Sequence, residues 1–208
     1  MSAGAPRHLS MLRTFRLADL VTLLNGFCGA GAILAFMRFC AGRERAFFWL
    51  GTALLPVAFV MDALDGWIAR RTGKGSVLGQ DLDSLADVVS FGVAPAAMAF
   101  AAGMRGGWDA LCLVFFVGCG ISRLARFNVT AADLTGPSGK VTHFEGLPIP
   151  TSLLQVVALA ILAAAGRWQE RLPLGALSLG AFRLHPWSLL YVLHGSGMIS
   201  KTLRVPKP

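Results

Sequence analysis

Six stretches of this chain are strongly apolar, at residues 17–37, 46–69, 82–102, 108–127, 149–166 and 174–200. Each is long enough to supply about 20 residues of spanning helix, the fifth only just. The last is interrupted by Arg183, His185 and Pro186, so a re-entrant piece followed by a shorter helix suits it as well as a full span. Between the runs lie short polar segments carrying glycine, proline and basic residues, as turns at a membrane surface do. The pattern predicts an all-α polytopic bundle of about six transmembrane helices, with residues 1–208 forming a single membrane domain. Composition agrees, with 55% hydrophobic residues, 14% charged residues and a mean hydropathy of +0.62.

The pattern is broken at one place. The chain has 11 acidic residues, and Asp62, Asp65, Asp81, Asp83 and Asp87 all fall inside or beside the second and third apolar runs. A carboxylate at membrane depth is costly, so its default reading is functional. Asp62, Asp65, Gly66 and Ala69 follow i, i+3, i+4, i+7 and share one helix face. Gly79, Asp83 and Asp87 follow i, i+4, i+8 and share a face of the next helix. Arg70 to Lys74, RRTGK, supplies the turn between them. Two antiparallel helices then aim two carboxylates each at one point, and four such charges need a cation between them. Hard divalent ions such as Mg²⁺ take oxygen ligands of this kind and complete their shell with phosphate oxygens. The small residues Gly66, Ala69 and Gly79 leave room for close backbone packing or for a substrate.

Asp62-x2-Asp65-Gly66-x2-Ala69-Arg70-x8-Gly79-x3-Asp83-x3-Asp87 resembles the signature of the CDP-alcohol phosphatidyltransferase family at every fixed position. The resemblance implies a membrane enzyme that moves a phosphatidyl group from a CDP-linked lipid to an alcohol and releases CMP. It implies a polar, metal-containing cavity at the cytoplasmic side, with Asp62, Asp65, Asp83 and Asp87 around Mg²⁺ or Mn²⁺. Asp87 is expected to act also as the general base. Asn25, three residues after Thr22 on the first span, together with Asp62, Gly66, Ala69, Arg70, Gly79 and Asp83, is expected to bind the CDP-lipid. Asp19 reads as a first-turn residue favourable to the helix dipole.

Further strings are more particular. LDSLADVVSFGVAP (82–95), RLARFNV (123–129) and FEGLPIP (144–150) resemble the phosphatidylserine synthase branch of that family. The resemblance implies CDP-diacylglycerol and L-serine as substrates. Arg123 and Arg126, spaced i, i+3, are then expected to face the cavity and grip a phosphate or the acceptor's carboxylate. Gly146 and Pro148 are expected to shape the acceptor pocket. Ser90, Gly92 and Ala94 read first as packing residues, Gly92 and Ala96 forming a small-xxx-small seam. Other acceptors (glycerol 3-phosphate, an inositol compound or choline) share the chemistry, and a cation-binding transporter is the reading from another class. A transporter would more often show paired broken helices in two halves, and no such duplication is visible in the sequence.

Charge sets the expected orientation. With both termini on one side, 12 of the 19 Lys and Arg residues fall there and 7 fall opposite, which puts the larger group and the aspartates at the cytoplasmic face of the inner membrane. The segment RFCAGRER (38–45) runs against this trend. The net charge of +8 is spread over loops and helix ends, which suits a lipid bilayer rather than nucleic acid. Cys28, Cys40, Cys112 and Cys119 lack metal-ligand spacing and read as packing residues. The resemblance also implies a homodimer.

Overall fold

The computed structural model describes residues 16–72, 77–133, 143–200 and 204–206. Helix α1 covers Leu17–Gly42 and α2 covers Arg45–Thr72. Helix α3, Val77–Asp87, runs through a π-helical stretch, Val88–Val93, straight into α4, Ala94–Ala102. Helix α5 covers Gly107–Asp133. A short strand β1, His143–Glu145, leads to a 3₁₀ turn, Ile149–Ser152, and α6, Leu153–Ala164. Strands β2, Leu177–Leu179, and β3, Phe182–Leu184, form an antiparallel hairpin. Helix α7, Ser188–Ile199, follows, and β4, Arg204–Pro206, pairs with β1.

The all-α polytopic bundle expected from the apolar runs is present. Among the described residues, four helical stretches are long and apolar enough to cross a membrane: Leu17–Gly42, Arg45–Arg71, Leu78–Ala102 and Gly107–Val129. The chain is a multi-pass membrane protein. Large exposed side chains such as Leu17, Leu24, Phe27 and Val114 stand on the outer surface of these helices, where lipid rather than water is the natural neighbour. The interior is filled by Phe36, Phe39, Phe48, Phe91, Phe116 and Tyr191, all but fully buried. Trp168 from the loop after α6 stacks on Phe39 at 5.4 Å and meets Phe48 edge-on at 4.8 Å.

The stretch 174–200 departs from a single span. Gly175 and Gly180 adopt positive φ, and residues 177–184 fold into the hairpin before α7 begins. Twelve residues of α7 reach only about 18 Å, well under the hydrocarbon thickness of about 30 Å. Prolines 173 and 186 bracket the hairpin and deny the helix its backbone donors. The six apolar runs thus become four helices of spanning length and two shorter ones, α6 and α7, packed on them. Residues 73–76 of the RRTGK turn, and Lys74 with them, lie outside the described residues, as do residues 134–142 with Lys140.

Candidate active site

The N-terminal half of α1, the C-terminal half of α2 and all of α3 meet at one end of the bundle, and every polar group of interest there projects inward. Asp62 and Asp65 come from the last turns of α2, Asp83 and Asp87 from α3, and Thr22 and Asn25 from α1. Asp65 and Asp87 are buried, whereas Asp62 and Asp83 are half-buried. One carboxylate oxygen each from Asp62, Asp83 and Asp87 lies within 4.8 Å of the other two. That is close to the span of oxygens sharing one hard cation. Asp65 stands beside the trio, near enough for its charge to act on Asp83 and Asp87. Its Oδ2 accepts a 2.6 Å hydrogen bond from the Thr22 hydroxyl.

Helix α1 orients the carboxylates. Asn25, with no exposed surface, donates from Nδ2 to Oδ1 of Asp87 at 3.2 Å. Asn25 is itself fixed from behind, since the Ser90 hydroxyl donates to its carbonyl at 2.9 Å. This bond needs close approach of two backbones, and Gly29 provides it. A Cβ there would lie 2.4 Å from Ser90 Oγ and 2.7 Å from Ser90 Cα. Ser90 sits in the π-helical stretch directly after Asp87. One extra residue in that turn rotates the following helix relative to α3, and such insertions gather at functional sites.

The residues fit a divalent cation. The ligand atoms are carboxylate oxygens, the type preferred by Mg²⁺, Ca²⁺ and Mn²⁺. Asp83 Oδ1 and Asn25 Oδ1 are buried without a hydrogen-bond partner, and a buried acceptor left that way is costly. A cation and its bound water beside Asp83 would supply what the protein leaves open there.

Around this centre the remaining sequence-predicted residues take different positions. Gly66 and Ala69 are half-buried on α2, and a Cβ at Gly66 would meet the guanidinium of the exposed Arg70 at 3.4 Å. Gly79 is half-buried on α3. Arg123 is half-buried, sits over the Phe127 ring at 5.6 Å and is near enough to Asp87 for their charges to interact. Arg126 is exposed, so of the pair expected to face one cavity only Arg123 is partly shielded. Gly146 is buried with φ +76° against α7, where a Cβ would collide with the Met198 carbonyl. Its visible work is packing, reinforced by the Leu147 N–H donating to Gly197 O at 3.1 Å. Pro148 is half-buried and its carbonyl starts the 3₁₀ turn by accepting from Thr151 N at 3.1 Å.

Asn128 was not singled out from the sequence, and Asp19 was read only as a first-turn residue of α1. Asn128 bridges α3 and α5, accepting from the Ser84 hydroxyl at 3.1 Å and donating to Asp81 at 3.3 Å. Asp19 is buried and its charge reaches Asp65, while its own Oδ2 accepts from Arg16 N–H at 2.8 Å. Polar residues on otherwise apolar helices were the available signal for both.

Comparison with known proteins adds an independent line. Residues 15–190 match the family model described as CDP-alcohol phosphatidyltransferase. A CDP-diacylglycerol–serine O-phosphatidyltransferase of Saccharomyces cerevisiae is 46% identical over 209 residues, covering 97% of this chain and 74% of that protein. A protein of the same name from Mycobacterium leprae is 37% identical over 147 residues, covering 65% of this chain and 48% of its own. An archaetidylserine synthase of Methanothermobacter thermautotrophicus is 40% identical over 143 residues, covering 67% of this chain and 55% of its own. The chain therefore matches about half the length of the last two relatives.

Proposed function

This chain belongs to the CDP-alcohol phosphatidyltransferase family, and from that premise we propose that it transfers the phosphatidyl group of CDP-diacylglycerol to the hydroxyl of L-serine, giving phosphatidylserine and CMP. The observation that carries the reading is the convergence of Asp62, Asp83 and Asp87 within 4.8 Å inside apolar helices. The acceptor rests on the relatives, whose names agree on serine while differing in the lipid that carries it.

In this reading Asp62, Asp65 and Asp83 hold the cation, and Asp87 shares in it. When bound there, Mg²⁺ or Mn²⁺ would supply positive charge to offset that of the lipid substrate's pyrophosphate and of the departing CMP. Asp87 takes the proton from the serine hydroxyl as its oxygen attacks the phosphatidyl phosphorus. Asn25 keeps that carboxylate turned toward the centre through its 3.2 Å hydrogen bond. Thr22 does the same for Asp65 at 2.6 Å. Gly66, Ala69 and Gly79 let the nucleotide approach the helix backbones, with Arg70 at its rim. Arg123, close to Asp87, meets the acceptor carboxylate or the reacting phosphate, where a planar guanidinium fits a forked contact. Arg126, Gly146 and Pro148 complete the acceptor side, the last two by holding the loop before α6 in place.

The protein works in the cytoplasmic membrane with this end facing the cytoplasm, where 12 of the 19 basic residues are expected. We assign residues 1–208 to one membrane domain that pairs as a homodimer. The test is direct. Membranes containing the protein receive labelled serine, CDP-diacylglycerol and Mn²⁺, and lipid product and CMP are followed together. Serine-dependent CMP release supports the assignment. Release that depends instead on glycerol 3-phosphate or an inositol compound moves the acceptor, and no release with any alcohol retires the reading.

A further inference from the structure

The end of the bundle away from the aspartates is built around arginine. Helix α1 runs from Asn25 at the acidic centre to Arg43 at its other terminus, about 27 Å for 18 residues. The seven basic residues predicted on that side, Arg38, Arg43, Arg45, Arg105, Arg167, Arg171 and Arg183, include no lysine. Arg38 lies over Phe47 at 5.2 Å and Arg45 over Trp168 at 5.8 Å. Arg43, Arg105 and Arg183 line a cavity of about 450 Å³, Arg105 also lying over Phe100 at 5.6 Å, with Glu170 the one acid along its wall among the described residues.

The cavity is shaped before anything binds. Asp109, with no exposed surface, draws the hairpin onto the start of α5. Its carboxylate accepts from Gly106 N–H at 2.8 Å and from His185 N–H at 2.7 Å, and it meets His185 Nδ1 at 2.6 Å. Arg43 is held by Gln169 Oε1 at 2.7 Å, and Arg105 by the Phe100 carbonyl at 3.1 Å. Arg183 is exposed on β3. Three guanidinium groups from three separate segments thus border one cavity whose walls are already fixed, at little ordering cost to a ligand. Planar guanidinium groups in such numbers suit phosphate.

The second observation concerns the hairpin beside the cavity. Its surface is apolar, with Leu174 78%, Leu177 51%, Leu179 49% and Phe182 55% exposed. Trp108, itself 40% exposed, holds the hairpin by donating from Nε1 to Leu179 O at 3.0 Å. Leucine and aromatic side chains displayed beside arginines are the composition of a surface that lies in the membrane interface. Apolar residues at that depth bring the arginines level with lipid headgroups.

We propose that this cavity binds the phosphate of an anionic phospholipid headgroup in the leaflet opposite the aspartates. Arg43, Arg105 and Arg183 grip the phosphate while the hairpin's leucines and Phe182 lie against the adjoining acyl chains. The site is separate from phosphatidyl transfer and stands whether or not serine is the acceptor.

Thermal unfolding and native mass spectrometry of the purified protein in phosphatidylcholine, with and without phosphatidylglycerol, test it without measuring turnover. Phosphatidylglycerol should remain bound to the wild type and raise its Tm. Binding should weaken about tenfold for each arginine removed in Arg43→Gln and Arg183→Gln. Arg38→Gln, with the same charge change outside the cavity, should match the wild type, and so should Asp87→Asn at the other end. Arg183→Gln alters an exposed side chain and serves if the Arg43 variant does not fold. Equal retention by wild type and Arg183→Gln overturns the proposal. So does equal stabilisation by phosphatidylcholine, or by inorganic phosphate at the same concentration, since the cavity would then not be reading an anionic lipid.

Discussion

Two polar clusters sit at opposite ends of α1, and they are made in different ways. At one end Asp62, Asp65, Asp83 and Asp87 project from helices, at intervals that put each pair on one face. At the other, Arg43, Arg105 and Arg183 come from a helix cap, a connecting loop and a hairpin strand. The acidic end holds repelling charges in place through helix rigidity and hydrogen bonds from α1. The basic end depends on one buried carboxylate, Asp109, that pins a loop to a helix start. Like charges in a low-dielectric setting need a rigid frame and a counter-ion. Arginines at a membrane surface need only to be gathered, because their long side chains reach water or headgroups.

The largest expected effect separates the ends by chemistry. Asp87→Asn should lower turnover by about 10²–10⁴-fold while leaving the Tm near that of the wild type. Near-normal turnover in the purified variant would remove Asp87 from the base role. Chelation should abolish activity in the wild type, and activity that persists in excess chelator would break the cation assignment.

Asp109→Ala tests the other end. It leaves His185 and Gly106 without their shared acceptor and should cost about 3 kcal/mol of stability. Folded protein should still turn over substrate, because the acidic centre is held by different contacts. If folded Asp109→Ala lost turnover as fully as Asp87→Asn, the two ends would not be independent.

Gly29→Ala brings a smaller loss at the acidic end. The added methyl meets Ser90 Oγ and Cα, so α1 must part from the π-helical stretch, at about 1–3 kcal/mol. The accompanying loss of the Ser90 bond to Asn25 should also lower turnover, and Gly29→Ser should be no milder. Thr22→Val sharpens the comparison most finely. It removes one hydrogen bond to Asp65 and should cost about 1 kcal/mol or somewhat more. The expected readout is a weaker apparent affinity for Mn²⁺ with the same fold. Unchanged metal dependence would place Asp65 outside the cation's reach.

Legibility followed the same division. The aspartate faces were readable because a helix keeps i, i+3 and i+4 residues together whatever else the protein does. Thr22 and Asn25 were visible as polar residues on an apolar helix, although nothing local named their partners. The i, i+3 rule puts Arg123 and Arg126 on a shared side of α5 without saying how far each is shielded, and of the two only Arg123 is half-buried. Gly146 shows another limit. A glycine in FEGLPIP is compatible with a ligand pocket or with tight packing, and the Met198 carbonyl beside it lies 52 residues away in sequence. The run 174–200 was apolar enough to resemble a span, yet its leucines belong to a hairpin whose closure depends on His185 reaching Asp109.

Hydropathy and helical period alone were enough to establish a multi-pass helical protein with four acids on facing helix surfaces, because both follow from contacts within a few residues of each other. Which oxygens converge, how the π-helical stretch sets Asn25 against Asp87, and where three distant arginines meet depended on the packed fold. Asn25 and Asp87 stand 62 positions apart and Thr22 and Asp65 stand 43 apart, and nothing in the local chain carries information over such separations until the helices have docked.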